Sequence, residues 1–157
     1  MPESTRSSLF PDVNVWVALT YEGHVHHAAA ARWFTTLDQD ATLVFCRFTQ
    51  LGLLRLLTAE AVMGDEVMTQ PGAWRAYDRW QQDDRVELMN EPSNLEPRFR
   101  TLTRRPRPAT KDWADSYLAA FAASGELTLV TFDRALRGKT RAKNIVPPST
   151  ARQKGKR

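Results

Sequence analysis

One cysteine in 157 residues, Cys46, leaves no partner for an intramolecular disulfide. A disulfide-stapled scaffold is excluded, and a reducing compartment is the natural setting. Lying between Phe45 and Arg47 at the end of an apolar run, Cys46 reads as packing rather than as a nucleophile. No uncharged run approaches the roughly 18 residues that a membrane-spanning helix needs. The opening MPESTRSSLF also lacks a basic stretch followed by an apolar segment of signal-peptide length. A cytoplasmic protein that does not engage a membrane is therefore expected. The three histidines, His24, His26 and His27, lack the paired spacing of a structural zinc site and read as a loop or helix start. There is no internal repeat and no linker-like stretch, so the length implies one domain with a sizeable core.

Charge is unevenly spread. From Arg134 to the end there are nine Lys/Arg and no Asp/Glu, which leaves 13 basic against 18 acidic residues before it. A second block, Arg98 to Lys111, has six basic residues and no acid. Basic blocks on an otherwise acidic domain suit contact with a phosphate backbone. The division expected is an N-terminal extension over 1–8, a domain over 9–147 and a basic tail over 148–157.

The pattern predicts alternating strands and helices. Leu9 to Pro11 reads as a buried strand, with the proline at an edge or near the strand start, ending in Asp12 and Asn14. A helical turn around Val15 to Leu19 and an alanine-rich helix from His27 to Leu37 follow. Thr42 to Cys46 is β-branched and aromatic, and Arg47 to Thr58 carries Leu51, Leu54 and Leu57 at helical spacing. A helix from Pro71 to Gln82, a strand from Arg85 to Met89 and a helix from Leu95 to Leu102 come next. Thr110 is read as the N-cap of a helix from Lys111 to Ser124, with Gly125 as its left-handed terminus. Leu127 to Phe132 is the strongest strand. Of the five tryptophans most should be core, with Trp74 and Trp80 candidates for a dimer face. This alternation implies an α/β fold of three layers, α/β/α, around a parallel sheet.

Three aspartates occupy comparable places: Asp12 after the first strand, Asp115 in the first turn of the late helix, Asp133 after the strand LTLVTF. In a parallel sheet the carboxyl ends of adjacent strands share one edge, so these groups can converge. Converging carboxylates raise one another's pKa and call for a cation. An all-oxygen cluster favours Mg²⁺ or Mn²⁺ over zinc.

PDVNVWVAL, TQLGLLRLLT, DWADSYLAAFA and LVTFDRAL, in this order and spacing, resemble the PIN domain of VapC-type toxins from type II toxin-antitoxin pairs. The resemblance spans about Leu9 to Leu136. It implies a Mg²⁺-dependent endoribonuclease, with Asp12, Asp115 and Asp133 as catalytic metal ligands and Thr131 and Asn14 supporting them. It further implies an RNA substrate, a cognate antitoxin and a homodimer. Many relatives carry a glutamate where Gln50 stands here. Gln50 falls on the apolar stripe of its helix, so it faces inward and is placed like a catalytic residue, at the cost of a negative charge on the metal. Asp112 shares a helix face with Asp115 and is a candidate supporting residue. Arg104, Arg105, Arg107 and Arg134 are the candidate RNA contacts. The alternative is a catalytically weakened domain that binds RNA without turning it over.

Overall fold

The computed structural model describes residues 7–145. The basic segment 148–157 and residues 1–6 of the N-terminal extension lie outside the described residues. Five short parallel strands carry the architecture: β1 (Ser8–Pro11), β2 (Thr42–Phe45), β3 (Val86–Leu88), β4 (Thr128–Thr131) and β5 (Ala142–Asn144). Their spatial order is β3-β2-β1-β4-β5. Between β1 and β2 run α1 (Val13–Thr20) and α2 (His27–Thr35). Between β2 and β3 run α3 (Arg47–Leu57), the short α4 (Glu60–Met63) and α5 (Gln70–Gln81). Between β3 and β4 run α6 (Leu95–Leu102) and α7 (Asp112–Ser124), and a 3₁₀ turn, Arg134–Gly138, leads to β5.

Alternation along the strands makes two cores. Leu9, Leu43, Phe45, Val86 and Val130 turn toward α1, α2, α3 and α5, whereas Phe10, Val44 and Leu129 turn toward α6 and α7. The three-layer α/β/α expectation holds. Trp16 of α1 lies fully buried on Phe45, ring centroids 3.9 Å apart. Burying one ring of Phe45's size contributes about 1.5–3 kcal/mol. Gly52 sets the approach of α3 to α1, since a Cβ there would sit 2.6 Å from a methyl of Val13.

Several local expectations are corrected. Pro11 lies in the central strand, not at an edge; it is the strand's last residue, beyond the last β1–β2 pair, Leu9 with Leu43, and the bond to β4 is made by Asp12, whose N–H donates to the Val130 carbonyl at 2.9 Å. Lys111, not Thr110, precedes the first turn of α7, and no side chain caps it. The left-handed residue at the end of α7 is Glu126 (φ 57°), while Gly125 has φ −92°. Leu127 N–H donates to Ala122 O and Glu126 N–H to Ala123 O, the two bonds of a Schellman ending. Gly125 serves close approach instead: a Cβ there would meet Met89 Cε at 3.0 Å and Phe121 O at 3.2 Å. Leu51, counted on the buried stripe of α3, is 58% exposed, and the stripe is Thr49, Gln50, Leu53 and Leu57. Trp80 is not a free dimer surface, because it packs edge-on to Trp16 and Phe34 and donates Nε1–H to Thr20 at 2.8 Å. Trp74 and Trp113 are the exposed indoles. Strand β5 is unanticipated, since Ala-Lys-Asn has no apolar alternation to reveal it.

Candidate active site

The strand order reverses at β1: the chain builds outward through β2 and β3, then returns to place β4 on β1's other side. In such sheets ligands bind beyond the carboxyl ends at this reversal. Asp12 follows β1 there, and Thr131 ends β4.

Asp12 is the N-cap of α1: its Oδ1 accepts the Val15 N–H at 3.1 Å, which satisfies a helix-start donor. Its Oδ2 accepts the Thr131 hydroxyl, and the Thr131 oxygen in turn accepts the Asp133 N–H at 3.0 Å. Thr131 therefore links both aspartates. Burial pushes Asp12 up to about 6, against the hydrogen bonds from Thr131 and from the Val15 and Asn14 N–H groups, with the charge of Asp115 adding to the rise. Asn14 contributes through its backbone, and its side chain is exposed. Asp115, in the first turn of α7, is raised by burial, then by Asp133 and Asp112, with Lys139 pulling it back. Asp12, Asp115 and Asp133 thus fall within one electrostatic cluster.

Among the described residues, no three His, Cys, Asp or Glu side chains lie close enough together to hold a metal ion as they stand. Asp133 is turned back on itself, its Oδ1 accepting the Ala135 N–H at 2.8 Å. The donor chemistry nevertheless fits a hard divalent cation: oxygens only, with carboxylates that raise one another's pKa.

Asp112 is already neutralised. Lys139 Nζ donates to its Oδ1 at 2.6 Å and to Ser116 Oγ at 3.1 Å, and Arg105 Nε donates to its Oδ2 at 3.1 Å. These cations hold its carboxyl below the ordinary value of 3.8. Gln50 is buried as expected, but its hydrogen-bond partner is Arg47, whose Nη1 donates to Oε1 at 2.5 Å, with Tyr77 of α5 nearby. No hydrogen bond ties it to the aspartates among the described residues. Arg104, Arg105, Arg107 and Arg134 are exposed. The histidine loop is a helix start, with His27 Nδ1 2.7 Å from Ala18 O. Lys139, Ser116, Arg47 and Tyr77 escaped the sequence reading. Ser116 was accessible in principle, being four residues after Asp112 on one helix face. Lys139 lies in an unpatterned basic run.

A parallel sheet with helices on both faces and charge-coupled aspartates at its reversal point defines an α/β/α domain with an acidic site. The PIN domain family profile matches residues 9–141. The chain belongs to the PIN domain family. It is 45% identical to Ribonuclease VapC41 of Mycobacterium tuberculosis over 131 residues, covering 81% of this chain and 90% of that protein. The crystal structure of Mycobacterium tuberculosis VapC20, described as a sarcin-ricin loop cleaving toxin, superposes with a TM-score of 0.64 at 17% identity, covering 89% of this chain and 99% of that one. VapBC2 from Rickettsia felis, bound to a DNA fragment from its promoter, also gives 0.64, at 12% identity over 87% of this chain and 98% of that one. Among the described residues no helix is long and apolar enough to cross a membrane.

Proposed function

We propose that this chain is a metal-dependent endoribonuclease and the toxin of a type II toxin-antitoxin pair. The observation that carries the reading is the buried Asp12 carboxylate at the β1/β4 reversal, fixed by Thr131 and charge-coupled to Asp115. The strong likeness to a protein named as a ribonuclease supports it.

Asp12, Asp115 and Asp133 are the residues that would hold Mg²⁺, with Mn²⁺ able to substitute. A bound ion of this type supplies a hydroxide-like nucleophile and charge stabilisation for in-line phosphodiester hydrolysis. The chain's own groups prepare the place. Thr131 and the Val15 N–H orient the Asp12 carboxylate, and Lys139 with Arg105 hold Asp112 to one side. Gln50 acts indirectly, by fixing Arg47. Arg104, Arg105, Arg107 and Arg134 bind the RNA backbone. The partners are RNA, a cognate antitoxin and a second copy of the chain, and the setting is the cytoplasm.

The test is cleavage of total cellular RNA by the purified protein in Mg²⁺, Mn²⁺ and EDTA, alongside Asp12→Ala and Asp115→Asn. Discrete fragments that vanish with EDTA and with either substitution support the reading. RNA binding without cleavage in any metal points to the weakened domain instead, a reading favoured by one observation: Gln50 is tied to Arg47 and brings no charge to the cluster.

A further inference from the structure

The face of α6 that meets the start of α7 carries an open cleft of about 490 Å³ lined by Glu96, Phe99, Arg100, Thr103, Arg104 and Trp113. Trp113 is 57% exposed, although a residue of its size gains most from burial. Phe99 backs it, ring centroids 6.1 Å apart, and Phe99 stands edge-on to Tyr117, which leads through Phe121 to Phe10 in the core. The indole is thus an outward platform on a rigid aromatic ladder.

Its charge setting is cationic. The only acid lining the cleft, Glu96, is paired with Arg100 at 3.3 Å on the surface. Among the described residues no ion pair forms on Arg104, and Arg98, Arg105 and Arg107 flank it. Trp113 stands two residues before Asp115 at the same end of α7 but on the other side of the helix, facing α6.

We infer that the Trp113 cleft takes an unpaired base of the RNA, stacked on the indole, with Arg104 and Arg100 on the adjoining phosphates. The inference rests on the ribonuclease reading and adds to it a place on α6 and α7 where an unpaired base is held. Aromatic faces accept bases of any sequence, but only bases whose own faces are uncovered; paired bases are stacked and closed to the indole. The cationic rim selects nucleic acid over an apolar peptide.

The test measures binding of a labelled single-stranded RNA and of a duplex of the same sequence, in EDTA, by wild type, Trp113→Ala, Trp113→Phe and Arg104→Ala. Metal-dependent cleavage and melting are followed in parallel. Trp113→Ala is expected to weaken single-strand binding about tenfold and leave the duplex unchanged, with Trp113→Phe recovering most of the loss. Arg104→Ala is expected to weaken both probes and lower the salt slope by about one. Unaltered single-strand binding by a folded Trp113→Ala overturns the inference, as does an equal loss on the duplex. If that variant changes only self-association in sedimentation, the cleft is a contact between copies and the inference falls. Where wild type cleaves RNA in these cases, the ribonuclease reading stands alone; a wild type that neither binds nor cleaves removes both.

Discussion

The hydroxyl of Thr131, at the end of β4, donates to the buried carboxylate of Asp12, at the end of β1 and 119 positions earlier in the chain. The same oxygen accepts the N–H of Asp133. One threonine thereby orients the Asp12 carboxylate and holds the backbone of Asp133, two of the residues proposed to hold the metal. Thr131→Val should raise the Mg²⁺ concentration needed for half-maximal cleavage by about tenfold, the cost typical of losing an outer partner of a metal ligand. Thr131→Ser should restore it. A valine variant with unchanged Mg²⁺ dependence would show that the bond is structural alone.

Asp12 gives a sign to the pH dependence of the metal-free protein. Its folded-state value of about 6 lies above the ordinary 3.8, so its contribution is most favourable below 3.8 and is lost as pH rises to about 6. At neutral pH the buried charge costs roughly 2–3 kcal/mol. Asp12→Asn should therefore abolish cleavage yet raise the melting temperature at pH 7 in EDTA. The gap to wild type should close toward pH 4. Equal melting temperatures across that range would refute the buried-charge argument.

Lys139 is the cation that faces the start of α7, bonded to both Asp112 and Ser116. Lys139→Met should lower cleavage by about tenfold, whereas Lys139→Arg should keep most of it. Asp112 titrates below its ordinary value, so its pairing stabilises the fold above 3.8 and is lost as pH falls through the lowered value. The destabilisation of Lys139→Met should accordingly be present at neutral pH and absent in strong acid, as followed by denaturant unfolding.

Gln50 is buried with its amide oxygen committed to Arg47. Gln50→Ala leaves a buried cavity and an unmade bond, costing about 1–3 kcal/mol in urea unfolding. Its effect on cleavage should be several-fold only. A loss as deep as that of Asp12→Ala would place the amide among the reacting groups.

Glu126 holds a left-handed conformation that a side chain disfavours by roughly 1–2 kcal/mol. Glu126→Gly should stabilise the fold by up to about 1 kcal/mol, because glycine's extra freedom in the unfolded chain offsets part of the gain. Thermal melting would show it, with RNA cleavage unchanged.

How much of this was legible beforehand follows from the physics of each feature. Asp12, Asp115 and Asp133 were readable because strand ends and helix starts leave periodic traces in the sequence, and the sheet then brings them to one edge. The buried position of Gln50 followed from the spacing of Leu53 and Leu57. Its partners did not, because Arg47 is a solvent-facing residue by pattern and Tyr77 comes from another helix. Gly125 is wanted for the close approach of Met89, a contact that no local rule contains, so the glycine did not mark the left-handed residue. Lys139 and β5 lie where charge masks periodicity, so neither the strand nor the ion pair was visible.

The placement of β4 beside β1 also bears on how the protein is made. In a growing chain Asp12 precedes Asp115, Thr131 and Asp133 by more than a hundred positions. Until β4 is available to pair with β1, the Asp12 carboxylate has no threonine to orient it and no neighbouring carboxylates with which to share an ion. A nascent chain that stops anywhere between Asp12 and Asp115 therefore carries only one arm of the site.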